Sequence, residues 1–259
     1  MGKLNEVLQS WPSGTVGVQA WFDQKKIVRQ LSQKYVKGGW VEKIGPGAYI
    51  RAGDMVDWRG GVYALQQGLG LPIHVGGKTA LELMGRSHFV PLGNPVINLY
   101  THGSHPGRHL PKWFLEYFKA QAPQYFSTVL FRGKVGLQVL DCSTFKINIS
   151  SMERALFEIL ALTSKNMSLD HAFLLFQGQE TLRADLIQAL LQDCQSQVLK
   201  RLFLYLAKQS DLPWLERLDI KLIDLGQGKR KVGLGDCYDP ELKLFIPKIR
   251  VDEQDRTFE

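Results

Sequence analysis

Cysteine is scarce and scattered in this chain: Cys142, Cys194 and Cys237 are the only three among 259 residues. An odd number at such wide spacing suits neither a disulfide framework nor a zinc knuckle, and it fits a reducing compartment. Long apolar runs are missing as well. No stretch approaches the roughly 18 residues that a bilayer span requires, and the opening MGKLNEVLQSW holds no apolar core of a secretory signal. A cytoplasmic location without a membrane partner is therefore expected. The catalytic signatures are absent too: GxSxG, HExxH, a Walker loop and a Cys–His pair in family-like context do not occur. The sequence points to a binding protein rather than an enzyme, with no catalytic residue, no metal ligand and no cofactor assigned.

The residues present are ample for folding. Hydrophobic residues make up 44% and aromatics 10%, enough for packed cores. Net charge is +7, unevenly placed: residues 1–61 carry nine Lys/Arg against five Asp/Glu, whereas the other 198 carry 23 against 20. The basic excess concentrates at the N-terminus, where an acidic partner would be met.

Residues 23–51, DQKKIVRQLSQKYVKGGWVEKIGPGAYIR, explain that excess. At 3.6 residues per turn, Ile27, Val28, Leu31 and Tyr35 share one face, and Lys26, Arg29, Gln30, Gln33 and Lys37 share the other. Between Gln24 and Trp40 there is no Asp or Glu. Lysines and arginines drive counterion release from phosphates, while Arg and Gln can pair bidentately with base edges. Most basic helical faces are merely solvated. Here a shorter helical segment over 15–22, with Thr15 as cap, precedes the basic helix, with Asp23 as its cap. Two helices joined tightly, the second basic, match a helix-turn-helix. Gly38-Gly39 then ends the helix, residues 40–44 alternate as a strand, Gly45-Pro46-Gly47 turns, and 48–51 return. The expectation is a winged helix.

Further along, residues 1–11 read as a first helix and 58–67 as another, and Gly68-Leu69-Gly70-Leu71-Pro72 breaks the regular structure. The domains are therefore drawn as 1–70 and 71–259. The second is expected to be strand-rich to about 149, with strands at 73–75, 96–100, 126–132, 137–141 and 145–149 and helices over 78–84 and 112–118. It is expected to be helix-rich after that, over 154–163, 169–176, 182–193 and 197–208. Ser150 to Glu153 reads as a capping box and Ser168 as a further cap. Strands are expected again at 218–225 and 242–249.

Three other features are chemically suggestive. His102, His105 and His109 crowd one loop, but without Cys or an acidic residue to orient a ring nitrogen a solvated loop is the better reading. Gly226 to Lys231 sets glycines beside three cations, yet no helix follows, so a basic turn is expected instead of a phosphate cradle. His74 to Thr79 could bind an anion at a helix start, although a tight strand-to-helix connection is simpler.

YVKGGWVEKIGPGAYIR, Trp58, HVGGKTALELMG (74–85), LPKW (110–113), KRLFLYLA (200–207) and LGQGKR (225–230) together resemble the AbiEi family. These are transcriptional-regulator antitoxins of type IV toxin–antitoxin, abortive-infection systems. The resemblance implies an N-terminal winged helix that binds inverted repeats in its own promoter. It also implies a second domain that counteracts a nucleotidyltransferase-like toxin, with no stable complex required. Carried onto this chain, it puts Lys25, Lys26, Arg29, Gln30, Gln33, Lys34 and Lys37 on the recognition helix against DNA. Lys43 and Arg51 would stand in or beside the wing. Lys200, Arg201, Lys229, Arg230 and Lys231 are the candidate toxin-neutralisation surface.

The fold class expected is thus α/β (α+β): an N-terminal winged helix-turn-helix followed by a larger mixed α/β domain. The function expected is that of a DNA-binding autorepressor and antitoxin. The runner-up is a stand-alone regulator whose second domain senses a ligand, which a pocket between residues 73 and 150 would favour.

Overall fold

A computed structural model describes residues 3–85, 96–102, 109–162 and 169–249; His105 and Ser168, both singled out above, lie outside them. The fold is mixed α/β. By packing, the chain forms two units: residues 1–129 with 137–150, and 130–136 with 151–259.

The first unit opens with the three helices of a winged helix, α1 (Lys3–Ser10), α2 (Gln19–Gln24) and α3 (Arg29–Lys37). Strand β1 (Gly17–Val18) precedes α2, and the hairpin β2 (Val41–Gly45) and β3 (Ala48–Arg51) comes after α3. They form an antiparallel sheet in the order β1-β3-β2. Gly39 sits at φ +71° after the C-cap Gly38, a left-handed conformation that lets the chain leave α3 and turn into the wing. Trp11, Phe22, Ile27, Val41 and Tyr49 form a small core beneath the helices.

Thr15 does not cap a helix. Its neighbours Gly17 and Val18 are drawn into the sheet, and its hydroxyl instead accepts from Trp11 Nε1 at 3.0 Å and donates to Pro12 O at 2.7 Å. Asp23 likewise lies inside α2, because Gln24 ends that helix and the connection to α3 runs from Lys25 to Val28.

Helix α4 (Trp58–Tyr63), capped by Asp57, runs on as a π-helical turn over Ala64–Gly68. That turn carries buried Gln66, which donates to Ile73 O at 3.1 Å and Asn148 O at 3.0 Å and accepts from Asn148 N at 2.8 Å. The amide thereby joins the helix to a sheet of β4 (Ile73–Val75), β5 (Asn98–Thr101), β6 (Gln124–Phe126), β7 (Leu137–Asp141) and β8 (Lys146–Ser150). Among the described residues its order is β6-β5-β4-β8-β7, with β4–β8 and β5–β6 parallel and the other pairs antiparallel. Helices α5 (Gly77–Leu83) and α6 (Lys112–Tyr117) complete the unit.

One apolar cluster runs from the wing through this sheet: Val16, Val18, Ala48 and Ile50 pack with Val62, Leu65, Val75, Leu99, Phe114 and Ile149. The winged helix therefore shares a continuous core with the five-stranded sheet, and the breaker run 68–72 lies inside that unit.

The second unit is mainly helical: α7 (Met152–Leu160), α8 (Leu169–Phe176), α9 (Ala184–Asp193) and α10 (Gln197–Gln209). Phe157 and Phe203 stack at 3.9 Å between centroids, with Phe176 and Trp214 against Phe203. Ser151, not Ser150, caps α7, and Glu153, which hydrogen-bonds with Ser151, also receives Arg183 Nε at 2.9 Å and Nη2 at 2.9 Å. Burial pushes the Glu153 carboxyl up, but the bonds from Arg183, from its own backbone N–H and from the Ser151 hydroxyl together outweigh this and hold it below the usual range.

Two expected strands are not formed. β6 stops at Phe126, and Phe131 makes only an isolated bridge to Cys194. Residues 218–225 contain a 3₁₀ turn at Ile220–Leu222, closed by the Asp219 side chain accepting from Lys221 N at 3.0 Å. A small sheet of β9 (Arg230–Lys231), β10 (Cys237–Asp239) and β11 (Leu244–Ile246) ends the described chain in the order β10-β11-β9.

Candidate nucleic-acid interface

The basic helix is held from beneath by one polar hub. Ser32 on α3 is fully buried and donates to Gln19 Oε1 at 2.8 Å. The Gln19 amide donates to Asp23 Oδ1 at 2.8 Å and Ile27 O at 3.0 Å, and Tyr49 OH on the wing reaches its Oε1 at 3.5 Å. Helix α2, the turn, α3 and the wing thus converge on one side chain. The bond from buried Ser32 fixes orientation most firmly, because breaking it leaves the enclosed hydroxyl unsatisfied; the other bonds are part-buried or exposed. Sequence reasoning missed both residues: Ser32 sits among cations and looks solvent-facing, and nothing in the periodicity links it to Gln19.

Fixed in this way, α3 turns Leu31, Tyr35 and Val36 inward and leaves Arg29, Gln30, Gln33, Lys34 and Lys37 exposed. Residues 29, 33 and 37 succeed each other at helical spacing, with 30 and 34 alongside, so the five make one stripe. Among the described residues none of these five side chains has a hydrogen bond or ion pair with the protein. Their polar groups are spent on nothing internal.

Lys25 and Lys26 are exposed too, but not on the helix. α3 begins at Arg29 and both residues lie in the turn, Lys26 at φ +59°. The chain reverses there so that Ile27 can enter the core fully buried. Lys25 Nζ lies over the Trp21 ring at 5.8 Å. Val28, expected on the inward face, instead occupies the N-cap position of α3 and is 57% exposed.

The wing is anchored at its tip. Gln19 N donates to Gly47 O at 2.8 Å, and a Cβ on Gly45 would lie 2.5 Å from Trp113 Cβ on α6, so only glycine fits there. Lys43 is exposed on β2. Arg51 pairs with Val41 at the opposite end of the hairpin, half-buried, its guanidinium carbon 5.9 Å from the Trp11 ring and its Nε buried without an acceptor. The nine expected DNA contacts therefore divide into eight exposed polar side chains and one arginine held against the core.

The second expected surface is corrected more deeply. Lys200 and Arg201 are 4% and 1% exposed, not on the surface. Lys200 Nζ donates to Asp224 O at 3.1 Å. The Arg201 guanidinium donates to the carbonyls of Leu225 (2.8 and 2.6 Å), Gly226 (2.9 Å), Gly228 (2.7 Å) and Lys243 (3.0 Å). The glycine-rich run is thus a loop wrapped around a buried arginine, not a phosphate cradle. Lys229 and Lys231 remain exposed, and Arg230 is half-buried against Gln197 Oε1 at 2.8 Å.

The histidines separate. His102 is buried with its Nδ1 3.3 Å from Nδ1 of buried His74, and His109 is exposed. Among the described residues no three His, Cys, Asp or Glu side chains are placed to hold a metal ion. Described residues of the first unit line open depressions, two of them sizeable. One, of about 620 Å³, is lined by Asp54, Asp57, Arg59 and Cys142, and one of about 360 Å³ by His109, Leu115 and Tyr125. In the larger, Asp54 accepts from Gly14 N at 2.8 Å and Asp57 from Arg59 Nε at 2.7 Å, so its charged groups are already engaged. The bond to Asp57 raises the Arg59 pKa. Among the described residues no helix is long and apolar enough to cross a membrane.

Two family models match in sequence. Residues 1–92 match the one described as the N-terminal domain of the AbiEi antitoxin transcriptional regulators. Residues 97–247 match the one described as transcriptional regulator, AbiEi antitoxin, type IV TA system. No curated protein matches the chain. The fold is similar to a crystal structure of the RV2827C protein from Mycobacterium tuberculosis, at 12% identity and a TM-score of 0.50, over 94% of this chain and 89% of that one.

Proposed function

The chain belongs to the AbiEi antitoxin family of transcriptional regulators of type IV toxin–antitoxin systems, and from that premise we propose that it is a sequence-specific autorepressor and antitoxin. It acts by binding and not by catalysis, in the cytoplasm. The observation that carries the DNA-binding half is the α3 stripe, whose Arg29, Gln30, Gln33, Lys34 and Lys37 are exposed and internally unpaired on a helix fixed by the Gln19–Ser32 hub. In this reading α3 enters the major groove of inverted repeats in the protein's own promoter. Arg29 and Gln30 at its leading end read base edges, while Lys25, Lys26, Lys34, Lys37 and Lys43 sit on phosphates and set the register.

The antitoxin half counteracts a nucleotidyltransferase-like toxin without a stable complex. Of the five residues first considered, Lys229, Arg230 and Lys231 are those whose position allows a partner to reach them.

The test is a titration of the full chain against a fluorescent duplex of its upstream region at several salt concentrations, beside a Lys26/Arg29/Gln30 triple alanine variant. Selective, salt-sensitive binding that the variant loses by about 100-fold or more is expected, since each base contact is worth about 1–3 kcal/mol. Equal, weak binding by both proteins would reduce the stripe to a solvated face and return the ligand-sensing alternative to the front. For the second half, the chain should restore growth to cells expressing the toxin without co-purifying with it. Failure to restore growth would remove the antitoxin role.

A further inference from the structure

We propose that Val28 is a specificity-determining residue that recognises the C5-methyl group of a thymine, an inference that rests on the DNA-reading role of α3. Val28 is 57% exposed at the N-cap of a nine-residue helix, where its neighbour Ile27 is fully buried. The residues around it are exposed and polar: Lys26, Arg29 and Gln30. The first turn of α3 holds no carboxylate and no side-chain cap. The nearby Asp23 carboxylate accepts from Gln19.

A bare valine inside a cationic surface is a poor match for an apolar protein face, which would have to bury unpaired ammonium and guanidinium groups beside it. The same surroundings suit a polyanion. On duplex DNA, phosphates and polar base edges offer nothing to an aliphatic side chain, and the C–H surface of deoxyribose is the same at every position, so it carries no sequence. The apolar group displayed in the major groove is the thymine methyl, and the leading residues of a recognition helix are those that approach the groove floor. A β-branched side chain also has few rotamers to lose on contact. The leading end of α3 then carries two kinds of reader: Arg29 and Gln30 for hydrogen-bonding edges, Val28 for a methyl.

The test uses a duplex enriched by the full chain from a randomised library, with each thymine replaced in turn by deoxyuridine, which differs only by loss of the methyl. The unaltered protein should bind about fourfold more weakly at one position in each half-site, the worth of one buried carbon group. Val28→Ala should bind the thymine duplex more weakly and show no further loss with deoxyuridine at that position. Val28→Thr, which keeps the branched shape and one of the two methyls, should lose only part of the sensitivity; Val28→Ala should melt as the unaltered protein does, and Val28→Thr, a better N-cap, no lower. Enrichment of a sequence whose deoxyuridine sensitivity is nil at every position, or is unchanged by Val28→Ala, overturns this role while leaving α3 as the reader. A library that enriches no sequence overturns both.

Discussion

Helices α3 and α10 carry similar cations to opposite ends. On α3, Arg29, Lys34 and Lys37 stand in solvent, whereas on α10 Lys200 and Arg201 are enclosed and bound to backbone carbonyls. The difference lies in what surrounds the cations. Helix α3 is apolar on one side only, through Leu31, Tyr35 and Val36, so its cations have an open side to occupy. Helix α10 buries Leu199, Leu202, Phe203, Leu204, Leu206 and Ala207 over more than half of its circumference, which leaves only the side of Lys208 and Gln209 open to solvent, and Lys200 and Arg201 fall within or beside the buried arc. A charged side chain on that buried arc must then find internal partners or cost several kcal/mol. Arg201 finds them in the carbonyls of a loop that, from 225 to 228, has little other regular hydrogen bonding. The same residue type reads nucleic acid in one helix, on our proposal, and shapes a loop in the other.

The most forceful way to break this comparison is to remove the buried cation. Arg201→Met should lower stability by about 3–5 kcal/mol, because several loop carbonyls lose a charged donor while remaining enclosed. Urea unfolding would measure it, with Arg29→Ala alongside as the exposed counterpart, expected within about 0.5 kcal/mol of the unaltered protein. Similar costs for both substitutions would erase the distinction between the two helices.

The second test exchanges the readout. Arg29→Ala should cost about 1–3 kcal/mol in DNA affinity and relax discrimination at one base pair, with its melting curve unmoved. A loss that is uniform over all sequences would demote Arg29 from base reader to phosphate contact.

The same contrast explains how much of the molecule was legible in the sequence. The helix–hairpin order of the winged helix could be read from residues 23–51 because each signal there is local: a one-sided apolar face, Gly38-Gly39, and Gly45-Pro46-Gly47. Helices α7 to α10 could be read from apolar periodicity and caps, and α6 from Pro111 at its start, for the same reason. What could not be read depends on contacts distant in sequence. The start of α3 shifted from 24 to 29 because Ile27 is claimed by the core, which forces Lys26 into a left-handed turn. Arg51 reads like any strand-end cation until Trp11, forty residues earlier, is set beneath it. Gln66 and Asn148, 82 residues apart, reveal nothing of their pairing in the sequence. The motif KRLFLYLA did carry a warning, since a cation pair within so apolar a run has nowhere to be solvated.

The smallest expected effect separates the two exposed basic sites instead of the two helices. Lys43 on the wing strand and Lys231 on β9 are both exposed and form no ion pair among the described residues. Burial therefore cannot distinguish them, and only an interaction can. If Lys43 rests on a phosphate, Lys43→Ala should reduce the slope of log K against log salt by about 0.9 and weaken every duplex alike, without altering base preference. Lys231→Ala should leave that slope where it was. A salt slope that falls equally for both would extend the DNA footprint to the second unit. One that falls for neither would confine the contacts to α3 and its leading turn, which is where a hairpin whose tip is held by Gln19 and Trp113 would leave them.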